Sequence, residues 1–293
     1  MKPFHLWESI RAAPTSLFFQ AVLVALFLLP LAATLLQFAS SGFLTGSAPY
    51  LVLFWPGAEW RWAPTIPVWL AMGAMSFSYV AGLWYLFQRR TLGNVVLWTI
   101  AVAVAANLLG IAVNYATGWK ELQSSASVAG AGRANALIFS LWQNPIWEEL
   151  VFRGIPLLML VWVKRRRSVK SPWWNRGYIV VPSILFALYH IPGHGPARLV
   201  DTFALGCGFS WLALRYSLLA PIVVHYLLDA MLVLNLSTLP NIPAEQVQWL
   251  VQYGAVLNTS WSLLLLLALL SLPAIVAVNS YRARRGWGEA TER

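Results

Sequence analysis

The sequence predicts an all-α polytopic membrane protein with about eight transmembrane helices. Of its 293 residues, 59% are hydrophobic and only 10% are charged, and the mean hydropathy is +0.65. Soluble domains carry about 25% charged residues. Several apolar runs reach the roughly 20 residues that a helix needs to cross a bilayer. The 17 Trp and 10 Tyr suit a chain that meets two lipid–water interfaces.

Eight apolar segments are predicted to span the membrane. The first is longer than the apolar core of about 7–15 residues in a signal peptide, so we expect it to be retained as a helix. The fifth is shorter than the others and is closed by the sequence IPGHGP. In chain order the segments are 16–38, 65–87, 94–113, 134–163, 178–189, 199–216, 218–236 and 260–278.

The basic residues predict the orientation of these spans. An even number of spans places both termini on one side, and the strong basic clusters fall on that same side. Cytoplasmic loops carry an excess of Lys and Arg, so we expect both termini to be cytoplasmic and residues 1–293 to form a single integral membrane domain. We therefore interpret the net charge of +10 as a sign of contact with a lipid bilayer and not with nucleic acid. The clusters are 89–90, 164–167 with Lys170, Arg215 and 282–285.

Ionisable residues are concentrated in one part of this apolar chain. Each charged group at a helix centre costs about 2.5–3.5 kcal/mol on the insertion scale. These residues must therefore face one another or a wet cavity, which predicts a functional site. The chain has only ten acidic residues and four histidines, and seven of them lie between residues 148 and 229: Glu148, Glu149, His190, His194, Asp201, His225 and Asp229.

Helical spacing suggests partners for these groups. Glu149 and Arg153 are four residues apart on one face, in the favourable acid-before-base order. Glu148 is rotated by about 100° from its neighbour, so it is left without that cation and is available as a general base. His225 and Asp229 are also four residues apart. Asp229 can fix the tautomer of the imidazole or contribute a polar group to the site directly.

Structural interpretations stand beside the functional ones. Glu149 and Arg153 are expected to form an ion pair that is structural even in an enzyme. His225 with Asp229 could serve only as polar contacts between helices. Arg198 and Asp201 are spaced as a structural i,i+3 pair, His194 resembles an ordinary loop histidine, and Cys207, the sole cysteine, is expected to be a small packing residue. With one cysteine, no internal disulfide can form.

Three short motifs, in order on successive apolar segments, resemble those of a known family. E-E-L-V-F-R at 148–153 fits EExxxR, F-A-L-Y-H at 186–190 fits FxxxH, and H-Y-L-L-D at 225–229 fits HxxxN/D. The combination resembles the CPBP family of intramembrane proteases, which includes type II CAAX prenyl endopeptidases and bacterial Abi-like proteins. The resemblance covers a motif-bearing core at about 134–239.

This resemblance implies an intramembrane endopeptidase that cleaves a membrane-associated or membrane-delivered protein or peptide. Glu148 matches the glutamate that activates water, and Glu149 with Arg153 the supporting pair. His190 and His225 match the site histidines, and Asp229 the last motif position. We expect a multi-pass protein of the cell membrane, taken as the bacterial cytoplasmic membrane; the oligomeric state is left open.

The resemblance leaves the cofactor and the role of Asp229 open. Glu148, His190 and His225 make an acceptable three-ligand set for a divalent metal such as Zn²⁺, and they could equally act without metal. Many family members have Asn at the last position, where a neutral amide can bind an oxyanion. Asp229 can do so only when protonated, and otherwise we expect it to orient His225.

Other functions are weighed against a peptidase of this kind. The sequence has no HExxH, GxSG or GxGD motif, which disfavours the other intramembrane protease chemistries. Glu, His and Asp in membranes also carry protons, so a proton-coupled transporter is one alternative. A non-catalytic immunity or scaffold protein is another. The intact Glu148, His190 and His225 favour the enzyme.

Overall fold

The computed structural model describes residues 5–45, 47–48, 51–55, 58–62, 66–120, 133–167, 171–235 and 244–284. Almost all of these residues are helical, so the predicted fold class is confirmed. The helices are α1 (His5–Ala12), α2 (Leu17–Ser40), α3 (Val68–Gln88), α4 (Leu92–Thr117), α5 (Arg133–Glu149), α6 (Ile155–Arg167), α7 (Trp173–His194), α8 (Leu199–Arg215), α9 (Leu219–Asn235) and α10 (Gln248–Arg284).

Each of the eight predicted spans coincides with helical structure. Within the described residues, five helical segments are long and apolar enough to cross a membrane, and they contain α2, α3, α4, α8 and α10. The remaining spans, α5 with α6, α7 and α9, are those that carry the three motifs. As separate helices α5, α6 and α9 are short, with 17, 13 and 17 residues, but α5 and α6 are joined by the turn at Leu150–Gly154 into one longer helical segment.

Helices α5 and α6 form one continuous helical segment that contains a π-helical turn. The turn comprises Leu150–Gly154, and the N–H of Ile155 bonds to the carbonyl of Leu150, five residues earlier. It begins immediately after Glu148 and Glu149. Single π turns inside α-helices are frequent at functional sites, so the local backbone itself marks this position.

Several predicted boundaries were wrong by a few residues or more, and two of these differences have a clear physical reason. The fifth span was expected to end at 189 before a Pro/Gly break, but α7 continues through Pro192 to His194. A proline removes one helical hydrogen bond without necessarily ending a helix in a packed environment. The helix stops at Gly195, whose φ of +77° suits glycine. The last span was predicted at 260–278, whereas α10 begins at Gln248. The first turns of α10 contain polar residues, so they did not give the signal of an apolar span.

Short elements complete the architecture. Two pairs of antiparallel strands connect α2 to α3: β1 (Ser47–Ala48) pairs with β4 (Ile66–Pro67), and β2 (Leu51–Trp55) pairs with β3 (Ala58–Trp62). Short 3-10 turns follow α1, α2 and α7 and precede α10. Neither the strands nor α1 was predicted, because neither is long enough to give a membrane-span signal.

Glycines allow several helices to approach closely. A Cβ on Gly208 of α8 would lie 2.6 Å from the Val102 side chain of α4, and one on Gly82 of α3 would lie 2.7 Å from Val223 of α9. Small residues at such crossings let membrane helices pack without a hydrophobic driving force. These contacts hold α8, and α9 with its motif residues, against the surrounding helices.

The start of the first described helix and the end of the last lie on the same side of the helix bundle. Helix α1 packs on α10, and Leu6 of α1 lines a cavity with Pro273 and Tyr281 near the end of α10. This arrangement agrees with an even number of spans; the cytoplasmic assignment remains a prediction. Lys170, Leu236 and Arg285, which belong to predicted clusters or spans, lie outside the described residues.

Candidate active site

The carboxylate of Glu148 faces both motif imidazoles. Its Oε2 atom lies 3.7 Å from Nε2 of His225 and 4.0 Å from Nε2 of His190. Glu148 is 5% exposed, in the interior of the helix bundle. These separations are too long for direct hydrogen bonds, but a single water molecule could contact the carboxylate and an imidazole together. Residues far apart in the sequence thus converge around one oxygen atom.

Hydrogen bonds at the opposite ring nitrogens orient the two imidazoles. Nδ1 of His190 lies 2.8 Å from the carbonyl oxygen of Phe186, one helical turn earlier. Since a carbonyl can only accept, this nitrogen donates. Nδ1 of His225 lies 2.9 Å from Oε1 of Glu149. Both rings therefore present Nε2 to Glu148, either as a proton acceptor or, in the imidazolium form, as a second donor.

Glu149 joins two parts of the site. Its Oε1 accepts from Nη1 of Arg153 at 3.1 Å, which confirms the predicted i,i+4 ion pair, and the same atom accepts from His225. The two neighbouring glutamates therefore face opposite nitrogens of one ring, and Glu149 is the one that bonds directly. The position next to Nδ1 of His225, for which Asp229 was the sequence candidate, is occupied by Glu149. A tertiary contact between α5 and α9 replaces the local one predicted within α9.

Arg153 is fully buried and holds several elements together. Its guanidinium lies 4.1 Å from the ring centroid of Phe186 and 5.5 Å from that of Phe209, and Nη2 is 3.5 Å from the carbonyl oxygen of Gly206. A Cβ on Gly206 would lie 3.1 Å from Nη2, so glycine at this position makes space for the charge. Carboxylate, carbonyl and aromatic faces replace water around the cation.

Aromatic rings surround the two histidines. The centroid of Phe186 lies 4.5 Å from that of His190, and the centroid of Phe209 lies 5.1 Å from that of His225. Phe152 and Tyr189 are 5.3 Å apart beside them. Only Phe186 is a defining motif position. Phe152, Tyr189 and Phe209 were not among the sequence candidates, because aromatic residues in an apolar chain give no distinctive signal.

His190 is the more accessible of the two site histidines. Its side chain is 21% exposed, compared with 10% for His225. One turn later on α7 lies His194, whose ring is stacked at 6.0 Å from that of His190. The end of α7 thus forms the accessible edge of the site. His194 was expected in a loop, but it is the last residue of a helix.

The remaining sequence candidates lie at different distances from this centre. Asp229 is half-buried and interacts electrostatically with His225 and Glu149. Asp201 pairs with Arg198 at 3.1 Å, as predicted, at the start of α8 and away from Glu148. Cys207 is a free, half-buried thiol. Asp229 is therefore a neighbour of the site, and Asp201 belongs to a separate contact.

Glu148, His190 and His225 carry oxygen and nitrogen atoms of the kind that bind zinc, at about 2.0–2.2 Å. Among the residues that the structure describes, no group of three or more His, Cys, Asp or Glu side chains has the spacing of a metal site. If a divalent metal bound here, these three residues would hold it. The chemistry proposed below uses the side chains themselves.

The motif-bearing residues also match a protein family. Residues 131–231 fit the family described as Type II CAAX prenyl endopeptidase Rce1-like. This part of the chain is similar to that family. The match contains Glu148, His190 and His225 together with the supporting pair, and confirms the resemblance that the three motifs indicated. No curated protein and no solved structure matches the chain.

The family and the fold agree on the general class of protein. The family description names an endopeptidase, and the apolar helices make this chain an integral membrane protein. The match covers about a third of the chain, from just before the start of α5 to within α9. Helices α1 to α4 and α10 lie outside it and are therefore described by their structure alone.

Proposed function

We propose that the protein is an intramembrane endopeptidase that hydrolyses a peptide bond in a membrane-associated or membrane-delivered substrate. The observation that supports this most directly is the approach of one carboxylate oxygen of Glu148 to Nε2 of both His190 and His225. A general base and two imidazoles around a space for one water molecule are the groups that amide hydrolysis requires.

In this proposal Glu148 activates the water. The carboxylate takes a proton from a water molecule held against Nε2 of His190, and the water oxygen forms a bond to the carbonyl carbon of the substrate. Nδ1 of His190 is held by the carbonyl of Phe186, so the ring cannot turn its acceptor nitrogen away. The fixed ring thereby keeps the attacking water in line with the carboxylate.

His225 stabilises the charge that develops on the substrate oxygen. With Nδ1 donating to Glu149, an imidazolium at this position donates from Nε2 to the oxyanion. Collapse of the tetrahedral intermediate breaks the C–N bond, and the proton held by Glu148 passes to the leaving amine. The products are a carboxylic acid and an amine, and the side chains return to their starting states.

Glu148→Gln tests this proposal, with Glu245→Gln as the matched control. Gln preserves the shape of the side chain but cannot take a proton, whereas Glu245 lies in a cavity with Gln37 and Trp249, which are not site residues. Membrane and secreted proteomes of strains carrying each variant are compared. We expect uncleaved precursors only with Glu148→Gln, with a loss of cleavage of at least about a thousandfold.

Two outcomes would contradict the proposal. Normal processing in the Glu148→Gln strain, with the variant folded and inserted, would show that Glu148 is not the general base. Precursors that accumulate equally with both variants would point to a non-catalytic scaffold. Treating the purified protein with a chelator addresses the cofactor separately: activity of the side chains alone predicts that cleavage persists, and loss restored by Zn²⁺ would show that a metal takes part.

A further inference from the structure

The π turn beside Glu148 requires support from outside its own helix. A π turn contains one residue more than the corresponding α-helical turn and is rare in isolation. Here Pro156 is the second residue after the turn. Proline has no N–H, so one helical hydrogen bond is missing close to the turn. The segment from Leu150 to Gly154 is thus less well fixed by its own backbone than an ordinary helix would be.

Tyr178 of α7 supplies a bond to this turn. Its hydroxyl donates to the carbonyl oxygen of Arg153 at 3.2 Å. The side chain is 4% exposed and packs in a small apolar cluster with Leu160 of α6 and Ala213 of α8. The ring is therefore held between three helices, and its hydroxyl is aimed at one carbonyl within the π turn.

The residue whose backbone Tyr178 holds is the one that organises the site. Arg153 donates through its side chain to Glu149, and Glu149 accepts from His225. Two hydrogen-bonded contacts of Arg153, one at its backbone carbonyl and one at its guanidinium, thus connect the hydroxyl of Tyr178 through Glu149 to an imidazole that faces Glu148. Tyr178 also lies on the same helix as His190, about 18 Å earlier at 1.5 Å per residue.

We infer that Tyr178 is a positioning residue for the proposed peptidase: it fixes the π turn so that the adjacent glutamates meet the two histidines. The inference rests on the proposed function. Tyr178 does not contact the reacting atoms and is outside all three motifs. Its role requires only that the hydroxyl donates to the Arg153 carbonyl, which a phenylalanine at the same position cannot do.

Tyr178→Phe tests the inference, and Tyr79→Phe is a matched control. The hydroxyl of Tyr79 also donates to a buried carbonyl of α5, that of Trp142, but this carbonyl lies before the site and outside the π turn. For Tyr178→Phe we expect kcat to fall about tenfold, the effect of one hydrogen bond, with KM unchanged. Equal losses of kcat in both variants would overturn the inference, since the effect would then be general.

Combination with Glu149→Gln distinguishes positioning from an independent structural effect. If Tyr178 acts through Arg153 and Glu149, Tyr178→Phe should lower kcat much less in the Glu149→Gln background than in the wild type, because groups that act as a unit are not additive. A full tenfold further loss would contradict the inference.

Hydrogen exchange separates this inference from the proposed function. Backbone amides of residues 150–155 should exchange faster in Tyr178→Phe than in wild type, while those of α10 are unchanged. Glu148→Gln should not have this effect. Unchanged exchange in the π turn would overturn the positioning role whatever the activity. Faster exchange in a protein that cleaves nothing would instead reject the peptidase and retain the structural link.

Discussion

Two sets of helices in this protein bury different kinds of polar group. In the frame helices, α2, α3, α4, α8 and α10, the buried polar side chains among the described residues are neutral, and hydroxyls such as those of Thr34 and Thr99 donate to carbonyls of their own helix, at 2.8 and 2.9 Å. In the motif helices, α5 with α6, α7 and α9, the buried polar side chains include ionisable groups, and some of these bond across helices, as His225 does to Glu149. The buried ionisable groups thus lie in the helices that carry the motifs.

This difference has an energetic consequence. Breaking the contact of a neutral buried group leaves one hydrogen-bonding group unpaired, which is costly in a low-dielectric interior. Removing one member of a buried ion pair leaves an uncompensated charge, which costs more. We therefore expect the largest losses of stability from substitutions of charged groups in the motif helices, and smaller losses from substitutions that disturb the packing of the frame helices.

Removing the guanidinium of Arg153 should have the largest effect on stability. Arg153→Met keeps a long apolar side chain but leaves Glu149 fully buried without its cation. Breaking a buried pair on one side costs about 3–5 kcal/mol. Arg198→Met removes a cation whose side chain is 43% exposed and should cost under about 1 kcal/mol. Unfolding in detergent micelles measures both, and similar losses would contradict the distinction.

Steric packing in the frame predicts an intermediate effect for Gly93→Ala. The added Cβ would lie 2.1 Å from the carbonyl oxygen of Pro14, a backbone atom, so the turn after α1 must move away from α4. Overpacking of this kind costs about 1–3 kcal/mol. Gly73→Ala on α3, where no atom lies within 4 Å, should be neutral or stabilising by up to about 1 kcal/mol. We therefore expect the unfolding temperature to fall in Gly93→Ala and to stay unchanged or rise in Gly73→Ala.

The smallest effect is expected at the last motif position. Asp229→Asn should change kcat by no more than about threefold, because Glu149 rather than Asp229 bonds Nδ1 of His225. Cleavage of a precursor identified from the Glu148→Gln strain provides the measurement. A loss comparable to that of Glu148→Gln would show that Asp229 acts on the substrate directly, and would move it from the margin to the centre of the site.

Much of this arrangement could be predicted from the sequence because it depends on local spacing. The helical spans follow from apolar runs of sufficient length, and the Glu149–Arg153 pair follows from the 3.6-residue repeat. The approach of Glu148 to His190 and His225 agrees with three motifs on neighbouring helices. Their catalytic roles remain a proposal.

Contacts between distant residues were beyond such reasoning. The bond from His225 to Glu149 depends on how α9 packs against α5, and no spacing within either helix encodes it. The π turn depends on tertiary support, since the residues from Leu150 to Gly154 would also suit an α-helix. The continuation of α7 past Pro192 likewise reflects packing that overrides a local helix breaker.

The extra residue in the turn at Leu150–Gly154 separates two demands on one helix. In an uninterrupted α-helix, each residue is rotated by about 100° from the one before, so the direction of Glu148 and Glu149 would fix which side chains of α6 face the neighbouring helices. The extra residue changes this angle, so the glutamates and the contact face of α6 can each point in the required direction. We expect that deleting a single residue here would rotate the carboxylates away from the imidazoles while leaving hydropathy, length and membrane insertion almost unaltered. A one-residue deletion would then be a simple evolutionary route to a homologue without the proposed activity.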